Sequence, residues 1–304
     1  MKWIDAESTI ELYPPTDFHF EECLIFLGRS NQEILHQING EAVYKLIKVH
    51  DELVLCKISF SDGAIKVEFP MTVPSKFARE KVGEFVSEWF DLDKDLEGFY
   101  QMANNDKILK NVVSTYKGLR IIGIPDLFEA LVWAVIGQQI NLTFAYTLKK
   151  RFVEQFGKCL TYEGKQYWLF PSYEKIAALN VDDLKKLQFT TRKAEYTIGI
   201  AKMMAEGELS KEQLLQKKEL PQIETALREI RGIGAWTAHY VIMKCLRDPS
   251  AFPISDVGLH NALKEQLGLE RKPTIEEIED YAASWTGWQA YATFYLWRSI
   301  YDNV

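Results

Sequence analysis

The sequence predicts an α+β protein, a small antiparallel-sheet lobe followed by a mainly helical domain. Three observations carry that prediction. Strand-like runs are confined to the first 95 residues, amphipathic helical patterns follow one another from about residue 96, and 47% hydrophobic residues with only 17 Gly and 10 Pro in 304 residues make a globular composition. A chain of this length buries a sizeable core without staples as one large or two ordinary domains, and the expected division is 1–95 and 96–304.

In the first lobe, Val43 to Val49 and Leu53 to Phe60 are apolar and rich in β-branched residues, and Ile65-Lys66-Val67-Glu68-Phe69 alternates cleanly. His50-Asp51 and Ser61-Asp62-Gly63 separate these runs as turns, so they form an antiparallel meander. Next, Ala78, Val82, Phe85, Val86 and Trp89 share one helical face behind Pro74, with Ser75 as the N-cap. Beyond residue 96 the strand signal fades. Helices are predicted from Phe128 to Ile136 and from Ala145 to Phe156, the second stopped by Gly157 as a left-handed cap. Others follow at 174–187, 192–206, 221–230, 237–246, 257–267, 275–285 and 289–301, and polar Gly137-Gln138-Gln139-Ile140-Asn141 separates the first two.

Several function classes are excluded by composition. The longest apolar run, around Ala130 to Ile136, is far short of the ~20 residues a bilayer span needs, and Met1-Lys2-Trp3 begins no signal peptide, so a soluble cytoplasmic protein is expected. No repeat of fixed period stands out. The cysteines at 23, 56, 159 and 245 are never closer than 33 residues, which rules out a zinc knuckle or CxxC pair and suggests reduced, buried thiols. The net charge of −7 hides an asymmetry: residues 1–95 hold 10 Lys+Arg against 18 Asp+Glu, and residues 96–304 hold 26 against 25. The second part is therefore free to present a basic face to a polyanion.

The most informative stretch runs from Leu227 to Ala238. Ile223, Ala226, Leu227 and Ile230 keep one helical face before it, and Ala238, Val241, Ile242 and Cys245 keep another after it, so two helices meet at Gly232-Ile233-Gly234. Two glycines permit positive φ and leave backbone N–H groups bare beside a helix N-terminus, a site that binds phosphate without a basic side chain. Alone, such a turn is also just a tight corner between helices.

The neighbouring residues resemble the helix-hairpin-helix DNA glycosylase superfamily. Its hairpin reads roughly Leu-x-x-Ile/Leu-x-Gly-Ile/Val-Gly, followed about twenty residues later by an aspartate. Asp256 lies 22 residues after Gly234. The sequence is most similar to the alkylpurine (3-methyladenine) glycosylase II branch. It shares Phe128-Glu129 leading to Gly137-Gln138-Gln139-Ile140, then Trp236-Thr237-Ala238-His239-Tyr240, and the closing aromatic set Trp285, Trp288, Tyr291, Ala292 and Trp297. The resemblance covers residues 120–304 by motif, and the first lobe only in element order and the Pro14-Pro15 turn.

The resemblance implies two helical lobes flanking a cleft and a monofunctional enzyme of base excision repair. Such an enzyme flips 3-methyladenine- or 7-methylguanine-type bases out of double-stranded DNA and releases them hydrolytically. Asp256 is implied as the catalytic carboxylate, although Asp before Val257-Gly258-Leu259 is equally a helix N-cap. Trp236, Tyr240 and Trp297 are implied as the base pocket, while Trp133, Trp168 and Trp285 read as core. Arg231, Gly232, Ile233, Gly234, Ala235 and Thr237 form the DNA-binding hairpin. Gln139, where several relatives carry Leu, or Ile140 is the wedge that fills the gap left by the base.

Trp236 stands where bifunctional relatives place a Schiff-base lysine, and no cysteine follows Cys245, so neither lyase chemistry nor an iron–sulfur cluster is expected. The expected cofactor is none, apart from a structural Na+ or K+ on the carbonyls of Arg228, Ile230 and Ile233. A monomer without membrane contact is expected. The alternatives left open are a glycosylase for deaminated or oxidised purines, a non-catalytic hairpin DNA-binding protein, and an all-α scaffold.

Overall fold

The structure, a computed structural model, describes residues 2–301, so Met1 and residues 302–304 at the ends of the two expected domains lie outside it. The meander is present as β4 (Ala42–Val49), β5 (Glu52–Ser61) and β6 (Ala64–Glu68). Three further strands extend it: β1 (Lys2–Asp5), β2 (Thr9–Tyr13) and, after helix α1 (Phe20–Leu27), β3 (His36–Asn39). The six pair antiparallel in the order β1-β2-β6-β5-β4-β3. Helix α2 (Lys76–Trp89) follows, capped by the Ser75 hydroxyl, which accepts the Ala78 N–H as expected.

The expected boundary near residue 95 falls between α2 and α3 (Glu97–Asn105), but the packing has no seam there: one hydrophobic core runs from Ile10, Val43 and Val82 to Phe128, Leu259 and Phe294. The helical part continues with α4 (Leu109–Thr115), α5 (Leu127–Gly137) and α6 (Leu142–Phe156). Gly157 is not left-handed, since its φ is −71°. It is glycine because a Cβ would lie 2.4 Å from the Leu169 carbonyl oxygen and 2.5 Å from that of Val153.

The expectation that strands end near residue 96 is overturned by a second sheet, the hairpin β7 (Lys158–Tyr162) and β8 (Lys165–Leu169). Its tip, Glu163-Gly164, has positive φ at both residues, the conformation of a tight two-residue β-turn. The hairpin covers the first sheet, where Tyr167 packs with Leu46 and Leu55.

Nine more α-helices follow among the described residues, beginning with α7 (Tyr173–Ala177), α8 (Val181–Lys185), α9 (Thr191–Ala205), α10 (Lys211–Leu215), α11 (Leu220–Arg228), α12 (Ala235–Val241), α13 (Val257–Gln266) and α14 (Ile275–Tyr281). The last, α15 (Gln289–Ser299), is buried from Ala290 to Ser299 and forms the axis of the helical part. Three expected helices are not continuous. The one at 174–187 breaks at Asn180, whose capping box with Asp183 starts a new helix. That at 237–246 becomes a π-helical turn over Ile242–Leu246, and that at 275–285 ends in a 3-10 turn over Ala282–Trp285. Of the cysteines, Cys159 is exposed and the other three are buried. No helix among the described residues is long and apolar enough to cross a membrane.

Part of the first lobe's acid surplus faces basic residues of the second. Asp17 accepts from fully buried Arg120 at 3.0 Å, Glu22 from Arg298 at 2.7 Å, and Glu33 from Lys149 at 2.7 Å. Beside the last pair, burial holds the His36 imidazole down at about 4 against an ordinary 6.5, with the Glu33 charge opposing. Burial alone would raise the Glu33 carboxyl, but Lys149 and His36 hold it below the usual carboxylate range.

Both shifts have the same sign for stability. The unfolded chain takes up a proton at His36 below 6.5 and at Glu33 below 4.5, before the folded protein does. Stability present above pH 6.5 is therefore lost as the pH falls through 6.5 towards 4. The melting temperature should drop across this window, and His36→Gln should flatten that part of the profile. Parallel melts of parent and variant with the same slope between those values would show that His36 is not responsible.

Candidate active site and nucleic-acid interface

The apolar face of α11, with Ile223 and Leu227 buried, and that of α12, with Ala238 and Val241 buried, pack the two helices as a hairpin around Ile233, itself in the core. The two glycines of the turn differ in role. Gly232 has φ +96°, and a Cβ there would lie 2.3 Å from the Tyr196 ring on α9. Gly234 has φ −89° and ψ 178°, ordinary extended backbone at the N-cap of α12, so the expectation that both need positive φ holds for Gly232 alone. A Cβ on Gly234 would meet nothing within 4 Å, and with exposed Arg231 and Ala235 it forms the outer rim of the turn.

Asp256 is the N-cap of α13, where its Oδ1 accepts the Leu259 N–H at 2.9 Å. The same oxygen accepts the Trp297 Nε1–H from α15 at 2.8 Å, and Oδ2 accepts the Trp236 Nε1–H from α12 at 2.9 Å. Cap and candidate catalyst are thus one carboxylate. Gly258 makes room for it, since a Cβ there would come within 2.9 Å of Asp256 Oδ1 and 3.1 Å of Trp297 Nε1. The three rings expected in the base pocket stand together: Trp236 stacks on Tyr240 with centroids 5.5 Å apart and an interplanar angle of 30°, and Tyr240 faces Trp297 at 6.3 Å.

Residues 132–287 match the HhH-GPD superfamily of base excision DNA repair proteins, and residues 13–131 match the N-terminal domain of 8-oxoguanine DNA glycosylases. A DNA-3-methyladenine glycosylase of Bacillus subtilis is 46% identical over 99% of this chain and 100% of its own length. DNA-3-methyladenine glycosylase 2 of Escherichia coli is 30% identical over 59% of this chain and 60% of its own. The chain belongs to the HhH-GPD superfamily. Among solved structures, a 3-methyladenine DNA-glycosylase from Archaeoglobus fulgidus shares the fold with a TM-score of 0.81 and 23% identity, covering 97% of this chain and 98% of that one. A Clostridium acetobutylicum 8-oxoguanine glycosylase/lyase in complex with double-stranded DNA does so with a TM-score of 0.77 and 18% identity, covering 100% and 98%.

Around the HhH-GPD hairpin, several residues have roles their type alone did not reveal. Thr237, expected among the DNA-binding residues, is 2% exposed, and its hydroxyl accepts a hydrogen bond from Gln138 Nε2 at 3.0 Å. The same amide donates to the Gly232 carbonyl at 2.9 Å, so Gln138 braces the turn from the polar segment between α5 and α6. Trp133, expected as plain core, donates its Nε1–H to the Tyr240 hydroxyl at 2.9 Å. His239 Nδ1 accepts the Phe252 N–H at 3.0 Å while Nε2 faces Glu224 at 3.4 Å, tying α11 to the loop that delivers Asp256. At the tip between α5 and α6, Gln139 is exposed with φ +55°, Ile140 packs against the core, and Leu142 beside them is 50% exposed.

The glycine difference predicts a split. Gly232→Ala should destabilise the fold by about 2–3 kcal/mol through strain and the Tyr196 clash. Gly234→Ala should cost less than about 1 kcal/mol, the scale of an N-cap change. Denaturant melts read both, and equal losses would contradict the assignment.

Proposed function

We propose that this DNA glycosylase releases alkylated purines from double-stranded DNA by hydrolysis alone. The observation that carries the proposal is a single carboxylate, Asp256, fixed beside a row of three electron-rich rings. A cationic alkylpurine is attracted to such faces and is already a good leaving group, so the site needs no general acid for it. Departure of the base leaves positive charge on the sugar as the N-glycosidic bond breaks, and a carboxylate opposite that charge stabilises it. Of the roughly four lone-pair directions of a carboxylate, three are occupied here, two on Oδ1 and one on Oδ2, which leaves Oδ2 to face the sugar. Water then adds its hydroxyl to the anomeric carbon and gives up its proton, leaving an abasic site.

Trp236 in place of a nucleophilic lysine supports the absence of a lyase step. Exposed, left-handed Gln139 is favoured over Ile140 as the wedge, with Leu142 as its apolar neighbour. The bare amides of the hairpin are assigned to phosphate binding. The carbonyls of Arg228, Ile230 and Ile233 are assigned to a monovalent cation that would stiffen the turn, in which Ile230 O already accepts the Ile233 N–H.

Asp256→Asn should lower excision of 3-methyladenine from methylated DNA by at least about 10²-fold, the usual cost of removing such electrostatic stabilisation. Binding to an abasic-site analogue should persist. Wild-type excision by a folded variant would remove Asp256 from the mechanism. Borohydride added during turnover should trap no covalent adduct, and strand scission should need added base or heat. Adduct formation keeping pace with base release would overturn the hydrolytic assignment.

A further inference from the structure

One turn beyond Tyr240, in the π-helical segment Ile242–Leu246, Lys244 is 2% exposed, and its Nζ has no hydrogen-bond partner among the described residues. It sits between two rings, 4.7 Å from the centroid of Phe26 and 4.8 Å from that of Phe294. Leaving a buried polar group unpaired costs on the order of 1–3 kcal/mol, which a Met or Leu would avoid. Burial, reinforced by the nearby Arg29 charge, holds the Lys244 amine well below the ordinary lysine value. Burial without a hydrogen-bond partner favours the uncharged form, whose nitrogen keeps a lone pair able to accept a hydrogen bond.

Lys244 borders a cavity of about 50 Å³ whose walls include Phe26, Arg29, Trp133 and Tyr240. Tyr240 is also the middle ring of the aromatic row, and Phe294 lies 6.2 Å from Trp297. The cavity thus shares the Tyr240 wall with the aromatic row. A space of that size admits an exocyclic group, since one water needs only ~10–15 Å³, but not a purine ring system. On the same wall, donor-only Arg29 donates to the Phe26 carbonyl at 2.7 Å and the Glu33 carboxylate accepts from Lys149 at 2.7 Å, with Glu129 as a further acceptor, whereas Lys244 Nζ is left without a hydrogen-bond partner among the described residues. π-helical turns recur where a helix must aim a functional side chain.

We propose that Lys244 is a specificity-determining residue of the base pocket, its Nζ accepting a hydrogen bond from the exocyclic amino group of the extruded purine while the ring stacks on the aromatic row. This rests on the alkylpurine reading above and names the feature of the base that is read. Purines carrying an amine on the pyrimidine ring are favoured over those carrying a carbonyl at the same place.

The test titrates free 3-methyladenine and free 3-methylhypoxanthine, in which a carbonyl replaces the amine, into the full chain while following tryptophan fluorescence. Wild type should bind the amino base about fivefold to tenfold more tightly, the worth of one net hydrogen bond. Lys244→Met should bind both equally. Lys244→Gln, which keeps an acceptor, should retain part of the preference and serves if the Met variant does not fold. Glu129→Gln, altering another acceptor on the cavity wall, should leave the preference unchanged. No preference in wild type, no saturable binding, or a preference that survives in a folded Lys244 variant overturns the proposal. Release of 3-methyladenine from methylated DNA, measured in parallel on wild type, reports separately whether the alkylpurine reading fails.

Discussion

The Asp256 carboxylate joins three helices that are distant in the chain. It accepts from the Leu259 backbone at the start of α13, from Trp297 on α15 and from Trp236 on α12. Hydrogen bonds to a charged acceptor are worth about 1.5–3 kcal/mol each, so the knot both orders the site and contributes to the fold. Other features follow from it. Gly258 must lack a Cβ, the Trp236 ring is held in place beside Tyr240, and the loop before Asp256 is pinned by His239. A carboxylate at an N-cap has its backbone fixed by the helix and its side chain fixed by the cap bond, so its orientation is set before any substrate arrives.

The same economy of charge explains how an acidic chain meets DNA. The arginines nearest the hairpin are already engaged: Arg231 donates to Glu195 at 2.7 Å and Arg228 to Glu224 at 3.1 Å. Three of the first lobe's 18 acidic residues, Asp17, Glu22 and Glu33, are likewise paired with Arg120, Arg298 and Lys149. At the proposed phosphate site what remains is backbone: Gln138 and Tyr196 fix Gly232 from behind, and Gly234 leaves the front open. Net charge is a poor guide to such a partner where, as proposed here, the contact is made by amides that carry no formal charge.

Legibility in the sequence followed the physical origin of each feature. The hairpin was readable from its two glycines between apolar helical faces, and the convergence of Asp256 with the three rings from the family resemblance of the motifs that carry them. Helices with one strong apolar face, such as α2 and α6, were readable by period. The missed elements depend on partners instead. β1 and β3 are short edge strands without a full apolar run, and the hairpin β7–β8 owes its strands to the sheet it covers, although Glu163-Gly164 between Tyr162 and Lys165 was a usable turn signal. Gly157 and Gly234 were misjudged for a related reason, since close approach and open space depend on what lies opposite, which no local pattern carries. Thr237 and Trp133 belong with them, because a residue type does not say whether its polar atom turns inwards.

The first lobe borders the cavity that Tyr240 lines. Phe26, at the end of α1, places its ring 4.7 Å from that of Phe294 on α15, and Arg29 lies 3.8 Å over Phe26 and 5.6 Å from Tyr146 on α6. The cavity bordered by Tyr240 therefore has walls from both lobes, which a common hydrophobic core and buried ion pairs hold in register. Position and identity are separated in space as a result. In the proposed function the hairpin offers backbone to a backbone and cannot distinguish bases, so discrimination has to come from side chains, and the wall shared with Tyr240 includes residues of the first lobe.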